Sequence, residues 1–513
     1  MHFYSIQMIL FVAVLFVLYY TVCRKKQWMV LLVASAAFYM YFGQLFGLLV
    51  AVTAFTVWAG SLILTKLSAD YKAAKKAEGI TREEKKALKA KLTFKKRWVL
   101  LAELLINLGI LGIFKYGGLY FEGFIFPLGI SFYTFQALSY FFDIYNDKYE
   151  ADHNFFHFLL FVSWFPQMLQ GPISRFNELG VQFFEEHKFD FEQVKRSLLL
   201  FAFGCMKKYA IADVLSKSIT AIFGSGMTGQ SGSLIFWGTV LGTIQQYADF
   251  SGGIDMVLAI SGLFGIAVKD NFRQPYFAVT LADLWRRWHI SLCDWARDYI
   301  YYPFAVTKPM MKLVKWGSKH WGKVGRLLPA MLGNIVVFAL VGIWHGTGWN
   351  YFIWGLYNGI LMSLSDLLKP LFKKLNELLH INRKAFWFRC FRIVRTWIII
   401  GFGTVFTLFE KVGDSMMAFQ NMILRPDWQM IGIYAVLKKN LWNQSKLVPV
   451  LAMLAFVVMI IRSVMREKGI DIYERLMSMN LICRWLIIYS VMFLTVAAFM
   501  YMNGEGGFMY ANF

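Results

Sequence analysis

The chain has 513 residues, 58% of them hydrophobic and only 16% charged, with a mean hydropathy of +0.50 and a net charge of +22. A soluble protein of this length would divide into domains with charged surfaces, and a membrane β-barrel would alternate polar and apolar positions; continuous apolar runs of spanning length, recurring from end to end, exclude both. The basic excess lies in the loops between those runs, which orients membrane helices and suits anionic lipid headgroups or an anionic cytoplasmic donor, and no nucleic-acid-binding motif accompanies it.

The expected fold class is therefore all-α and polytopic. Five cysteines (Cys23, Cys205, Cys293, Cys390, Cys483) are scattered without a C-x-x-C, so neither a disulfide framework nor a zinc site is expected. The first apolar run lacks a basic leader and is followed by Arg24-Lys25-Lys26, which predicts a retained helix over 6–22 with its C-terminal end in the cytoplasm and the N-terminus outside. Spans over 28–42 and 45–64 form a hairpin back to the same side. The stretch 66–97 carries twelve Lys or Arg against four Asp or Glu and reads as a basic cytoplasmic loop, with Thr81-x-x-Glu84 as a capping box opening a helix within it. It acts as a topology determinant, or as a docking surface for a negatively charged donor.

Further spans are predicted over 99–114, 126–144, 155–169, 194–223 and 234–264. Pro127-Leu128-Gly129-Ile130-Ser131-Phe132 and the run from Pro166 to Arg175 place prolines and glycines at membrane depth, where broken helices must be buried in protein or line a cavity. Asp249-Phe250-Ser251-Gly252-Gly253-Ile254-Asp255 puts two carboxylates inside an apolar stretch and reads as an inward-facing polar patch. His153 and His157 are spaced to share a helix face; with no third ligand evident, an interfacial polar face is expected rather than a metal site.

The segment 283–301 is helical in pattern, aromatic-rich and too charged to span lipid. It reads as one polar helix, lying at the interface or packed into the protein body beside a site. The loop 308–326 is basic and hence cytoplasmic. From it the run 327–343 rises to Trp344-His345-Gly346, and 351–368 returns to Lys369, Lys373 and Lys374, so His345 sits at the tip of a hairpin away from the cytoplasmic surface. A polar group kept at membrane depth is a functional candidate, the alternative being a hydrogen bond to a neighbouring helix. Three more spans follow near 396–409, 448–461 and 485–501. Arg462, Arg466, Lys468, Arg475 and Arg484 place the last loop inside, and the tail 503–513 is left outside. Without internal repeats or Pro- or Ser-rich linkers, one domain over 1–513 is expected, with both termini extracytoplasmic.

Arg286-Arg287-Trp288-His289-Ile290-Ser291 with Arg297-Asp298-Tyr299-Ile300-Tyr301, and Gly342-Ile343-Trp344-His345-Gly346 with Trp354-Gly355-Leu356-Tyr357-Asn358-Gly359, resemble signatures of the bacterial membrane-bound O-acyltransferases (the MBOAT family). Pro127-Leu128-Gly129-Ile130-Ser131-Phe132, Gln170-Gly171-Pro172-Ile173 and Asp249-Phe250-Ser251-Gly252 match in the same order. Length and the C-terminal extension resemble the alginate O-acetyltransferase branch, although the very basic loops depart from it and leave the acceptor open. The resemblance implies a core of about 11–13 membrane helices around a tunnel, with the acyl donor on the cytoplasmic side and the acceptor on the other.

Acyl transfer needs a base for an acceptor hydroxyl and support for charge on a thioester carbonyl. Histidine titrates near neutrality and suits the first role; His345 takes it by its isolation and its family position. The resemblance implies a supporting, orienting or carbonyl-polarising role for His289. Arg286 and Arg287 are expected either to hold donor phosphates or to pair with Asp283, Asp294 or Asp298. Trp344, Asp249, Ser251 and Asn350 complete the expected donor- and substrate-binding set. The tail from Gly507 to Phe513 resembles the Phe-x-Tyr-x-x-Phe ending of this branch, which makes Tyr510 either an acyl relay or an aromatic membrane anchor.

No bound cofactor or metal is expected. Acetyl-CoA is the expected donor substrate, with an extracytoplasmic polysaccharide or a secreted acyltransferase as partner, in the cell membrane among its lipids. The alternatives are D-alanyl transfer from a carrier protein to teichoic acid, or a glycan or lipid transporter. No G-x-S-x-G, P-loop or H-E-x-x-H occurs to suggest a hydrolase, ATPase or zinc protease.

Overall fold

Uninterrupted apolar runs grow into long helices. The computed structural model describes residues 6–501 apart from 23, 77–79, 122–126, 128, 225–229, 428–430 and 444. Gln44–Lys75 and Arg82–Tyr116 contain 32 and 35 residues. At ~1.5 Å per residue they reach about 50 Å, well beyond a ~30 Å hydrocarbon core. The basic residues of 66–97 cluster at the ends of these two helices, the second of which opens at the expected capping box. The capping box is present, with the Glu84 N–H donating to Thr81 Oγ1 at 3.2 Å and the Thr81 N–H to Glu84 Oε2 at 2.8 Å. Lys96 and Ser68, one from each helix, both bind Asp147, at 2.9 and 2.7 Å.

Six helices among the described residues are long and apolar enough to cross a membrane, and the number rises to seven if the pair Gln7–Val22 and Arg24–Phe42, bent by 105°, counts as one broken span. Other expected spans form helices that are shorter or more polar. Ile130–Tyr145 has 16 residues and is buried along nearly its whole surface. A helix surrounded by protein on all sides has no need of lipid-spanning length. The 155–169 run breaks at Trp164, before Pro166, into Phe155–Ser163 and Phe165–Gln170. Asn154 caps the first of these through the Phe156 N–H, so His153 precedes the helix and shares no helix face with His157. His157 instead stacks on Phe184 and meets Asp152 at 3.0 Å.

The described residues fall into two compact units, 6–197 with 257–269, and 198–256 with 270–501. The first is centred on Ile130–Tyr145, where Gln136 donates to the Phe161 carbonyl at 2.6 Å, and on Trp164, whose indole donates to Ser261 at 3.2 Å. The second holds the candidate site. Its central feature is the hairpin of Leu328–His345 and Trp349–Leu367. Glycines let the two backbones touch: a Cβ on Gly342 would lie 2.4 Å from the Tyr351 carbonyl oxygen, and one on Gly355 would lie 2.2 Å from that of Phe338. Phe386–Thr407, Leu447–Glu467 and Leu481–Tyr501 are further long helices of this unit.

Candidate active site

His345 is the last residue of an 18-residue helix, which raises it ~27 Å from the helix start. Gly346 is extended, and Gly348 precedes the returning helix. A Cβ on Gly346 would overlap the Tyr351 ring, so the tight reversal requires glycine there. The imidazole is buried, with the Trp344 ring 4.7 Å away and the Trp354 ring 5.1 Å away.

His289 reaches the same neighbourhood by an unexpected route. The segment 283–301 is not one helix. Leu281–Trp285, capped by Thr280 through the Asp283 N–H, ends in a turn, and Ile290–Ala296 follows before a wide turn at Arg297–Tyr301. In a continuous helix the Ile290 and Ser291 N–H groups would donate to the Arg286 and Arg287 carbonyls. Here they donate to the Asn271 carbonyl at 3.0 Å and to Asn271 Oδ1 at 2.9 Å, while the Arg273 N–H takes the Arg287 carbonyl at 2.9 Å. An antiparallel bridge joins Phe272 to Trp288. Tertiary hydrogen bonds thus override the helical pattern. They hold His289 at φ +46°, a conformation that costs a non-glycine residue roughly 1–3 kcal/mol and persists where the surroundings over-determine it.

The His289 ring is 2% exposed, meets Phe250 edge-on at 4.8 Å and lies 6.2 Å from the Trp344 ring. Trp344 therefore neighbours both imidazoles. Burial pushes the His289 pKa down to about 3, which keeps the ring neutral at physiological pH.

The two arginines part company. Arg287 binds Asp283 at 2.9 Å and Glu467 at 2.7 Å, and Arg389 reaches the same Glu467 at 3.1 Å. Its charge is committed to carboxylates, one of them the expected Asp283, and it ties the His289 turn to the end of Leu447–Glu467. Arg286 is exposed.

Asp249 and Ser251 join a buried charge network. Asp249 binds Lys208 at 2.5 Å, and Lys208 also binds Asp213 at 2.8 Å. Ser251 accepts from Lys207 at 2.9 Å, and Lys207 reaches Asp255 at 2.8 Å. A small polar cavity lies beside it, lined by Lys207, Ser251, Asp255, Asn271, Arg462 and Arg466. Sequence reasoning missed Lys207, Lys208 and Asn271, although two adjacent lysines inside an apolar run were a readable signal. Arg462 and Arg466 were read as orientation charges only.

Asn350 is engaged with the backbone of another helix end: its amide donates to the Phe406 and Phe409 carbonyls at 3.1 and 2.7 Å. Tyr510 lies outside the described residues. Among the described residues no group of three or more His, Cys, Asp or Glu is placed to hold a metal ion.

The model of the MBOAT, membrane-bound O-acyltransferase family, matches residues 36–318, more than half of the chain. That stretch includes His289 and ends before His345. A probable alginate O-acetylase of Pseudomonas syringae pv. tomato is 28% identical over 445 residues, covering 83% of this chain and 76% of that protein. A peptidoglycan O-acetyltransferase of Helicobacter pylori is 32% identical over 311 residues, covering 53% of this chain and 55% of the relative. A teichoic acid D-alanyltransferase of Lacticaseibacillus rhamnosus is 29% identical over 266 residues, or 50% of this chain and 63% of that protein.

Proposed function

We propose, for a chain that belongs to the membrane-bound O-acyltransferase family, that it passes acetyl from cytoplasmic acetyl-CoA across the membrane for O-acetylation of an extracytoplasmic cell-surface polysaccharide. The observation that carries this reading is the juxtaposition of two buried imidazoles about one indole: His345 and His289 both neighbour Trp344, although 56 residues of chain separate them. The family makes the protein a multi-pass membrane O-acyltransferase. The acetyl group and the polysaccharide are supported by the relatives named as O-acetylating alginate or peptidoglycan.

In this mechanism His345 takes the proton of the acceptor hydroxyl as its oxygen attacks the thioester carbonyl, a role worth roughly 10²- to 10⁴-fold. The carbon–sulfur bond breaks and the CoA thiolate leaves on the cytoplasmic side. His289, neutral and buried, polarises the carbonyl. The basic helix ends within 66–97 and the basic helix Lys308–Gly325, expected as a loop, are on the cytoplasmic side, where they attract a polyanionic donor, and both termini are extracytoplasmic. A secreted acyltransferase partner completes delivery to the polymer.

Purified protein incubated with labelled acetyl-CoA tests this reading. Thiol release and label transfer are expected, with a loss of at least about 10²-fold in His345→Ala that still inserts and elutes like the wild type. Wild-type activity in that variant refutes the assignment of His345. Activity only with a charged carrier protein, and none with acetyl-CoA, supports D-alanyl transfer instead.

A further inference from the structure

Asn271 carries none of the motifs that identify the site, yet it is fully buried and makes three contacts to the His289 turn. Its backbone carbonyl accepts from the Ile290 N–H, and its side-chain Oδ1 accepts from the Ser291 N–H at 2.9 Å. A backbone N–H can only donate, so this bond fixes which end of the amide is oxygen. The other end, Nδ2, then lies 3.2 Å from His289 Nδ1, against 3.4 Å for Oδ1. An amide nitrogen is donor-only, so in this shorter contact Nδ1 accepts. A neutral imidazole that accepts at Nδ1 carries its proton at Nε2.

We infer that Asn271 is a positioning residue that locks His289 in the Nε2–H tautomer and so makes it a hydrogen-bond donor in acyl transfer rather than a base. The inference rests on the reading of His289 as the carbonyl-polarising group and gives that role its atom. Nε2–H is the donor offered to the thioester oxygen as negative charge develops there. The proton stays on His289 throughout, so the proton from the acceptor hydroxyl goes to His345 alone. The division of labour between two chemically identical side chains follows from what each one's backbone touches. His289 sits in a turn braced by an amide whose orientation the main chain dictates; His345 ends a helix among tryptophan rings.

The lock is also linked to the polar cavity, because Asn271 lines it together with Lys207, Arg462 and Arg466. The residue thus stands between the charged cavity and the imidazole, and a change in its orientation would be felt at both.

Asn271→Asp tests the lock with almost no change in size. Its carboxylate still accepts the Ser291 N–H, so the turn is kept, but it also accepts from His289, which moves the ring proton to Nδ1. The expected result is a fall in kcat of about 10²- to 10³-fold, the loss seen when one oxyanion donor is removed, with the KM for acetyl-CoA within about threefold of wild type. Solid-state ¹⁵N spectra of the histidine-labelled protein give a readout that a merely structural role would not move. The signals absent from His289→Ala should show a protonated Nε2 in the wild type and a protonated Nδ1 in Asn271→Asp. Asn271→Gln, which keeps the amide on a longer arm, should recover part of kcat.

Wild-type kcat in Asn271→Asp, or a wild-type His289 already protonated at Nδ1, overturns the inference and leaves the proposed acyl transfer standing, provided that His289→Ala remains impaired. A fully active His289→Ala overturns the inference together with the role assigned to His289.

Discussion

His345 and Trp354 face each other across the tip of the hairpin, their ring centroids 5.1 Å apart and their planes at 84°. One ends the rising helix and the other stands in the second turn of the returning one. Edge-to-face aromatic contacts are worth about 0.5–1.5 kcal/mol and, more to the point here, restrict the angle of the smaller ring. Trp354 is in turn braced by Trp285, 6.1 Å away in the helix that precedes the His289 turn. The two imidazoles are thus held by one aromatic frame.

Removing Trp354 should therefore disturb catalysis more than stability. Trp354→Phe keeps an edge for His345 and should retain at least about a tenth of wild-type kcat, whereas Trp354→Ala, which leaves the base unoriented, should lose about 10²-fold, as expected for a misplacement near 1 Å. Steady-state kinetics with acetyl-CoA on both variants decide it; equal activity in the two would remove Trp354 from the positioning of His345.

Asn350 makes the opposite prediction. It stands in the motif that follows His345 and was expected to bind substrate, but its amide bridges two carbonyls at the end of Phe386–Thr407 and just beyond. Truncation leaves two buried acceptors without this donor, at about 1–3 kcal/mol. Asn350→Ala should lower the melting temperature in detergent by several degrees while the KM for acetyl-CoA stays within about twofold of wild type. A raised KM with an unchanged melting temperature would return Asn350 to the binding set.

The contrast between His345 and Asn350 shows which parts of the site were legible. An imidazole alone at the end of an apolar run, with glycines to turn the chain, announces both its helix and its exposure to chemistry. Asn350 lies five residues further on, and its partners lie 56 and 59 residues away, which no local pattern reveals. Arg287 was legible only in part for the same reason: the pair with Asp283 was within view, but Glu467 is 180 residues distant. The segment around His289 went wrong differently. Its periodicity was helical, and the bonds that break it come from a loop whose own sequence has no distinctive pattern. The membrane-crossing helices were legible because lipid demands an uninterrupted apolar run; helices such as Ile130–Tyr145, enclosed by protein, are free of that demand and defied a count.

Tyr510 lends itself to a direct chemical test. We propose that its phenol accepts the acetyl group before the polymer does. An aryl ester is a good acyl donor because a phenol with a pKa of ~10 leaves more readily than a sugar hydroxyl. Tyr510→Phe keeps the ring and any membrane anchoring but removes the nucleophile. The substitution should abolish polymer acetylation in cells while leaving the protein at its normal level in the membrane. Wild-type acetylation would leave the tail as an anchor only.

The depressed pKa of His289 predicts a signature in stability against pH. Burial holds the folded value near 3, whereas the unfolded chain titrates near 6.5. Above about pH 6.5 the ring is neutral in both states, and its environment imposes no penalty. As the pH falls below that, the unfolded state binds a proton that the folded state refuses, so the free energy of unfolding declines, by up to about 1.4 kcal/mol per pH unit from this group, until the pH reaches the folded value. Asparagine at this position is uncharged at every pH and can still donate a hydrogen bond. His289→Asn should therefore melt with a shallower acid dependence than the wild type between about pH 6 and 4.5, and retain measurable acyl transfer. Matching slopes in the two proteins would mean that the folded protein tolerates a charged His289, a state that its enclosure by Phe250, Trp344 and the Asn271 amide disfavours.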